Sequence, residues 1–133
     1  MHHYKYTVSM RDTDATGIVF HPKYLEIATA ARESFVDTLG FSAGLAEATR
    51  NQRLVAYNLS MRFRGQCFLR DNLVVATTVV GLTQSKIKIT QQIFRGDQEV
   101  VLIHLDFAMT DGLTNKPVLL SDELVNKLKK HAN

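Results

Sequence analysis

The chain has 133 residues, of which 45% are hydrophobic and 22% are charged, a composition ordinary for one globular domain. Lys and Arg number 16 against 13 Asp and Glu, and this small, scattered excess argues against nucleic-acid binding. Cys67 is the only cysteine, which excludes an intrachain disulfide and a cysteine metal cluster. No apolar run approaches the roughly 20 residues that cross a bilayer, and residues 1–6 lack a signal-peptide core, so we expect a cytoplasmic protein.

The first predicted elements are a short strand and a long helix. Residues 5–10 alternate in polarity, with Tyr6 and Val8 apolar, which predicts a strand. Pro22 suits a first helical turn, and Gly40 suits a helix end. Between them apolar residues recur at spacings of three and four, which predicts an amphipathic helix: Leu25, Ala28, Ala31, Phe35 and Leu39. A shorter helical turn is predicted at residues 42–49.

Four strands are predicted next, over residues 53–64, 73–82, 85–94 and 99–110, with a hairpin turn at 95–98. Residues 73–82 are apolar on both faces, as expected of a central strand. In the other three strands one set of alternate residues is apolar and is predicted to face the core. These sets are Val55, Tyr57, Leu59, Met61 and Phe63; then Ile87, Ile89 and Ile93; then Val101, Ile103, Leu105, Phe107 and Met109.

One early helix followed by a run of antiparallel strands predicts an α+β fold. A capped helix starting at Ser121 is predicted to close the chain. A single slim helix packed on one curved sheet buries both apolar faces. The second face of residues 73–82 is too apolar to be fully solvated, so we expect the chain to form oligomers.

The loop between the first strand and the helix carries the strongest chemical signal. Asp14 lies on a Gly-containing loop seven residues ahead of His21, at the predicted helix start. A helix start offers unpaired N–H groups and partial positive charge, which suit an oxyanion. A carboxylate nearby can activate water or attack an electrophile, so the pair predicts acyl transfer to water. The alternatives are that Asp14 only shapes an Asx turn and that His21 only caps the helix. Asp12 is predicted to be a structural acid.

Other candidate groups have simpler interpretations. His104 and Asp106 share one face of a strand and are interpreted as solvent-face or interface residues rather than a catalytic dyad. Cys67 is interpreted as a small packing residue, because no His and Asn/Asp set with suitable spacing accompanies it. No His-x-x-His spacing occurs, so we expect no metal site.

Residues 14–24, Asp-Ala-Thr-Gly-Ile-Val-Phe-His-Pro-Lys-Tyr, resemble the signature of the hotdog-fold 4-hydroxybenzoyl-CoA thioesterase family. That family includes small acyl-CoA thioesterases encoded beside the Tol–Pal system. The similarity extends to Ala31-Arg32, to residues 62–75 and to the tail at 111–120. It implies one hotdog domain over residues 1–133, in which a curved, five-stranded antiparallel sheet wraps a long central helix.

The resemblance also implies an activity and a set of site residues. The activity is hydrolysis of an acyl-CoA to a free acid and coenzyme A, without a cofactor or metal. Asp14 corresponds to the catalytic acid, as general base or as nucleophile. His21 corresponds to the residue whose backbone N–H holds the thioester carbonyl and whose side chain assists. Substrate-binding residues would be Gly17 and Tyr24 in the signature, with Arg62, Arg64 and Arg70 as candidates for the coenzyme A phosphates.

The resemblance implies an active site between two subunits, and we expect a homodimer or homotetramer. Residues Gln66-Cys67 depart from the Pro-Ala of many members, in a loop that lies near the coenzyme. Two alternatives remain open, a carrier-protein thioesterase and a non-catalytic acyl-CoA binding protein. A hotdog hydratase fits less well, since its His and Asp are about five residues apart and Asp14 and His21 are seven apart.

Overall fold

The computed structural model describes residues 1–40 and 52–131, so the helical turn predicted at 42–49 lies outside the described residues. Five strands form one antiparallel sheet in the order β1-β3-β4-β5-β2. The strands are β1 His2–Thr7, β2 Gln52–Phe63, β3 Asn72–Leu82, β4 Lys86–Arg95 and β5 Gln98–Asp111. The helices are α1 His21–Thr38 and α2 Asp122–Lys129, and a short 3-10 helix spans Met10–Asp12. The predicted α+β fold with a five-stranded antiparallel sheet is confirmed.

The first strand lies earlier in the chain than predicted. β1 starts at His2, which pairs with Thr77 of β3, and it ends at Thr7. The prediction of a strand at 5–10 was therefore wrong at both ends. The chain turns after Val8 because the Asp12 carboxylate accepts hydrogen bonds from the backbone and hydroxyl of Ser9, which closes the 3-10 turn.

Helix α1 packs most closely against β1 and β3. Its inward side is slim in the middle, where Ala28 and Ala31 are completely buried and let the sheet approach. Tyr24, Ile27 and Phe35 complete the buried stripe. Because α1 lies over the other half of the sheet, the inner face of the edge strand β2 is covered less well.

The core-facing sets predicted for β4 and β5 are confirmed. Every member is buried, and each set lies on the face that packs against α1: Ile87, Ile89, Ile93, Val101, Ile103, Leu105, Phe107 and Met109. β3 is buried on both faces over much of its length, as predicted for a central strand. Burial of these aliphatic side chains is the main stabilising contribution to the fold.

The core-facing set predicted for β2 was wrong in part, because the strand contains a β-bulge between Ala56 and Asn58. Side chains of directly paired residues lie on the same face of an antiparallel sheet. An extra residue on one strand therefore shifts its alternation by one position. Pairing with the buried residues of β5 places Leu59, Met61 and Phe63 on the inner face after the bulge, but Leu54 and Ala56 before it. Val55 therefore lies on the outer face, and Tyr57, at the bulge, has its ring within 5.4 Å of the outward-facing Lys86 amino group.

Strand β2 lies at one edge of the sheet, and β5 is its only neighbour among the described strands. Its apolar side chains are exposed on both faces: Val55 by 44%, Tyr57 by 51%, Leu59 by 43% and Phe63 by 44%. A long, apolar edge strand can pair with another chain through its free backbone groups. This edge therefore combines free backbone groups with exposed apolar side chains.

Candidate active site

The signature loop is a small, tightly closed hairpin. Thr13 and Val19 form an isolated β-bridge, and the Asp14 N–H donates to the Ile18 carbonyl over 2.9 Å. The Gly17 N–H donates back to the Asp14 carbonyl over 3.1 Å, with Gly17 at φ +82°. That backbone conformation strains any residue with a Cβ, so glycine suits this position.

Two neighbouring segments hold this hairpin in place. On one side the Phe20 N–H donates to the Asp12 carbonyl over 3.0 Å. On the other side the Val19 N–H donates to the Cys67 carbonyl, and the Leu69 N–H donates to the Gly17 carbonyl, both over 2.9 Å. The loop that carries Asp14 is therefore fixed to the start of α1 and to residues 67–69.

Asp12 is the structural acid of this region, as predicted. Its carboxylate is buried and accepts from the Tyr6 hydroxyl at 2.7 Å, the Ser9 N–H at 2.9 Å and the Ser9 hydroxyl at 3.1 Å. Burial opposes ionisation, but these hydrogen bonds outweigh it and hold the pKa of Asp12 below its ordinary value. Asp12 therefore fixes the end of β1 against the loop.

Asp14 is exposed at the hairpin tip, and one of its two carboxylate oxygens is occupied. Oδ1 accepts from the Thr16 hydroxyl at 2.5 Å, the Thr16 N–H at 2.8 Å and the Ile18 N–H at 3.3 Å. The Thr16 hydroxyl is the main cause of a lowered pKa for Asp14, so this carboxyl is ionised at neutral pH. Within the described residues Oδ2 accepts no hydrogen bond. The Asx-turn geometry is thus present, and it leaves one anionic oxygen available.

His21 is the first residue of α1, and Phe20 occupies the capping position without a side-chain cap. Pro22 has no N–H, and the Lys23 N–H donates to the Phe20 carbonyl over 2.8 Å. No residue in the described part of the chain accepts the His21 N–H. The interpretation of His21 as a cap is wrong, because Phe20 occupies that position. The His21 ring stacks on Phe63 at 4.7 Å between ring centroids.

Tyr24 joins α1 to the segment that supports the loop. It is only 1% exposed, and its hydroxyl accepts the Cys67 N–H at 3.0 Å. Burial raises the pKa of Tyr24 far above its ordinary value. Since the hydroxyl already has a partner, a substrate-binding role for Tyr24 would depend on its ring, which lies 5.8 Å from the Phe63 ring. Cys67 is completely buried and burial raises the pKa of its thiol, in keeping with a packing residue.

The three candidate phosphate-binding arginines lie in different environments. Arg62 pairs with Leu102 on β5, which places its side chain on the outer face of the sheet. Arg64 forms an ion pair with Glu99 over 3.3 Å. Arg70 is exposed in the segment that contacts the signature loop, where its backbone N–H donates to the Val8 carbonyl over 2.9 Å. Of the three, only Arg70 belongs to a segment bonded to the Asp14 hairpin.

From the sequence, Arg95 was assigned only to a hairpin turn, and its role near the signature loop was missed. Its guanidinium donates to the Gln66 carbonyl, lies 3.6 Å from the Asp71 carboxylate and lies 5.6 Å from the centre of the Phe68 ring. It therefore holds residues 66–71 in place beneath the signature loop. The sequence offered no signal for this role, because Arg95 and Gln66 are 29 positions apart and only the β3–β4 pairing brings them together.

The remaining candidates lie away from this loop. His104 is exposed and Asp106 accepts from the Asn58 side chain over 3.1 Å, both on the outer side of β5, in agreement with their simple interpretation. In residues 1–40 and 52–131 no group of three His, Cys, Asp or Glu side chains has a metal-binding arrangement. No helix in those ranges is long and apolar enough to span a membrane.

The five-stranded antiparallel sheet packed on α1, with the loop fixed at the helix start, defines a hotdog fold of the thioester hydrolase class. Residues 8–128 match the model of the Thioesterase-like superfamily, and the chain belongs to that family. The predicted family and enzyme class are thereby confirmed.

Known relatives agree with this assignment. Over 117 residues the chain is 27% identical to the acyl-CoA thioesterase YbgC of Haemophilus influenzae, covering 88% of this chain and 86% of that protein. The 1,4-dihydroxy-2-naphthoyl-CoA thioesterase of Synechocystis has a similar structure, with a TM-score of 0.87 at 18% identity over 96% of this chain and 95% of that one. The dynemicin thioesterase gives a TM-score of 0.88 at 18% identity over 99% and 97%. At such identities the structural likeness establishes the fold.

Replacing Tyr24 with Phe tests whether its hydroxyl supports the loop or contacts substrate. The variant leaves the buried Cys67 N–H without its acceptor, so the free energy of unfolding should fall by about 1–3 kcal/mol. Urea denaturation measures this loss, with Tyr57→Phe, at an exposed position, as the control. Unchanged stability with a raised KM would instead assign the hydroxyl to substrate binding.

Proposed function

We propose that this chain is an acyl-CoA thioesterase that hydrolyses an acyl-CoA thioester to a free acid and coenzyme A, as a single hotdog domain over residues 1–133. One observation carries the proposal. An ionised Asp14 with one unoccupied oxygen is fixed by backbone hydrogen bonds to the start of α1, where the His21 N–H has no acceptor among the described residues. The acyl-CoA thioesterase activity of the YbgC relative supports the same reaction.

The proposed chemistry follows from the charges of the two groups. The thioester carbonyl oxygen accepts the His21 N–H and becomes more negative as the tetrahedral intermediate forms, which the positive end of α1 stabilises. Asp14 Oδ2 either removes a proton from the attacking water or attacks the carbonyl carbon itself. In the second case a mixed anhydride forms, and water then hydrolyses it. Both routes release the coenzyme A thiolate, which takes up a proton.

The other site residues are assigned by their positions. The exposed ring of His21 is available to assist the leaving thiolate, and Gly17 leaves room for the substrate at the hairpin. Arg70 is the favoured contact for the coenzyme A phosphates, since the charge of Arg64 is already partly balanced by Glu99. Arg62 could take part from the outer face of β2 near a subunit boundary.

We also propose that the site is completed by a second subunit in a cytoplasmic homodimer or homotetramer. The apolar β2 edge supports this assembly, because Phe63 on that strand stacks on His21 while 44% of its own surface remains exposed. A second copy paired along β2 would cover Phe63 and bring its own residues next to the start of α1.

One observation favours a competing function. All hydrogen bonds that the Asp14 carboxylate receives from described residues end on Oδ1, as in a purely structural Asx turn. A protein that uses Asp14 only in this way would bind acyl-CoA without cleaving it.

Replacing Asp14 with Asn separates these functions. The Asn oxygen still accepts the Thr16 and Ile18 N–H groups, so the variant should melt like the wild type. It removes the anionic oxygen, so kcat for every cleaved acyl-CoA should fall at least about a hundredfold, as expected when a catalytic base is lost. A thiol-release assay over aromatic and aliphatic acyl-CoAs measures this change.

The charge-matched control is Asp97→Asn in the exposed turn between β4 and β5, which should keep full activity. Near-wild-type turnover by Asp14→Asn would refute the assigned role of the acid. A wild type that binds intact acyl-CoA in calorimetry but releases no thiol would instead support the binding protein.

The oligomer proposal makes a separate prediction. Light scattering after size exclusion should give the wild type at least twice the 15.0 kDa mass of one chain. Val55→Lys places a charge on the exposed β2 edge and should shift the population toward the monomer, whereas Leu113→Lys, in an exposed loop, should not. A wild type of 15.0 kDa would contradict a site shared between subunits.

A further inference from the structure

The segment 66–71 supports the Asp14 hairpin, although it buries little of its own surface. Four of its six residues are exposed, and Cys67 is the only one that is fully buried. Two backbone hydrogen bonds nevertheless join the segment to the hairpin, as an isolated β-bridge between Ile18 and Phe68. Because so few of its side chains pack in the core, the position of this segment depends on its polar contacts.

One residue of this segment has a strained backbone. Arg70 has φ +71°, in the left-handed region that a residue with a Cβ rarely adopts. Such a conformation persists only where the surrounding contacts hold it. The Arg70 N–H donates to the Val8 carbonyl, and the Val8 N–H donates to the Asp71 carbonyl. The segment is therefore held by its neighbours and not by the intrinsic preference of its backbone.

Arg95 on β4 connects this segment to the sheet. Its guanidinium donates to the Gln66 carbonyl at one end of the segment and lies 3.6 Å from the Asp71 carboxylate at the other end. The same guanidinium donates to the Gln98 side chain on β5 over 2.8 Å, and its centre lies 5.6 Å from the centre of the Phe68 ring. A planar guanidinium can serve several acceptors in fixed directions. One side chain thus connects both ends of the segment to the β4–β5 hairpin.

Asp71 connects Arg95 to the signature hairpin. The Asp71 oxygen that faces Arg95 also accepts the Phe68 N–H at 2.8 Å. Phe68 is paired with Ile18, and the Ile18 N–H in turn donates to the Asp14 carboxylate at 3.3 Å. These contacts form a continuous path from Arg95 to the proposed catalytic acid.

We propose that Arg95 is a positioning residue for the hydrolysis, which fixes residues 66–71 and thereby keeps the Asp14 carboxylate opposite the His21 N–H. This inference rests on the proposed thioesterase function. On one side the hairpin continues directly into α1, and on the other side residues 66–71 are its support. A displacement of about 1 Å can lower the rate of a catalysed step about a hundredfold. Arg95 does not touch the substrate, so its effect on the reaction passes through Asp14.

A double-mutant cycle tests this dependence. In the full-length protein, Arg95→Ala should lower kcat for a cleaved acyl-CoA at least about tenfold, with a smaller change in KM. In the Asp14→Asn background the same replacement should change the rate by less than about twofold, because the group that Arg95 positions is already absent. Thiol release with the enzyme in excess over substrate extends the measurement to the slow variants. All variants are assayed well below their melting temperatures, so that lost stability alone does not lower the rate.

Arg95→Lys keeps the charge beside Asp71 but cannot reproduce the planar set of donors. Its kcat should therefore lie between those of the wild type and Arg95→Ala. Lys129→Ala removes an exposed positive charge from α2 and should leave kcat unchanged.

Two results would overturn the inference while leaving the thioesterase function intact. One is an equal loss of rate on Arg95→Ala with and without Asp14, which would show that the two residues act independently. The other is an unchanged kcat for the folded Arg95→Ala variant. If that variant does not fold, Arg95→Lys replaces it in the same cycle. A wild type that cleaves no acyl-CoA would refute the thioesterase function itself, and the inference with it.

Discussion

The site depends on the short, fixed connection between the Asp14 hairpin and the first residue of α1. The Phe20 N–H is held by the Asp12 carbonyl and the Val19 N–H by the Cys67 carbonyl, so the chain enters the helix in one direction only. Phe20 provides no side-chain cap, although a capping residue would typically stabilise the helix by about 1 kcal/mol. The His21 N–H has no acceptor among the described residues, and the proposed oxyanion role depends on this.

The position of α1 on the sheet determines which part of the inner face remains exposed. Small alanines let the helix pack tightly over β1 and β3, and the inner face of the edge strand β2 stays partly open. On that strand Phe63 stacks on His21 while 44% of its surface remains exposed. The proposed subunit contact along β2 and the proposed site at the start of α1 therefore share Phe63.

Much of this fold could be predicted from the sequence, because periodicity reports directly on burial. The inward sets of β4 and β5 are examples, and so are Ala28, Ala31, Phe35 and Leu39 of the α1 stripe, whereas Leu25 is only partly buried. The structural role of Asp12 was predicted from its place in the loop. The bulge in β2 could not be predicted, since Val55 and Tyr57 continue an apolar alternation that the register shift redirects to the outer face. The contacts of Tyr24 with Cys67 and of Arg32 with Gln91 join residues 43 and 59 positions apart, and only the tertiary structure brings them together.

A crystal structure with a ketone analogue of an acyl-CoA, in which a methylene group separates sulfur from the carbonyl, tests the central arrangement most directly. The account predicts that the carbonyl oxygen lies within about 3.2 Å of the His21 backbone nitrogen. It also predicts that the Asp14 carboxylate faces the carbonyl carbon, in direct contact or through one water. A carbonyl bound away from the start of α1, with Asp14 directed into solvent, would contradict it.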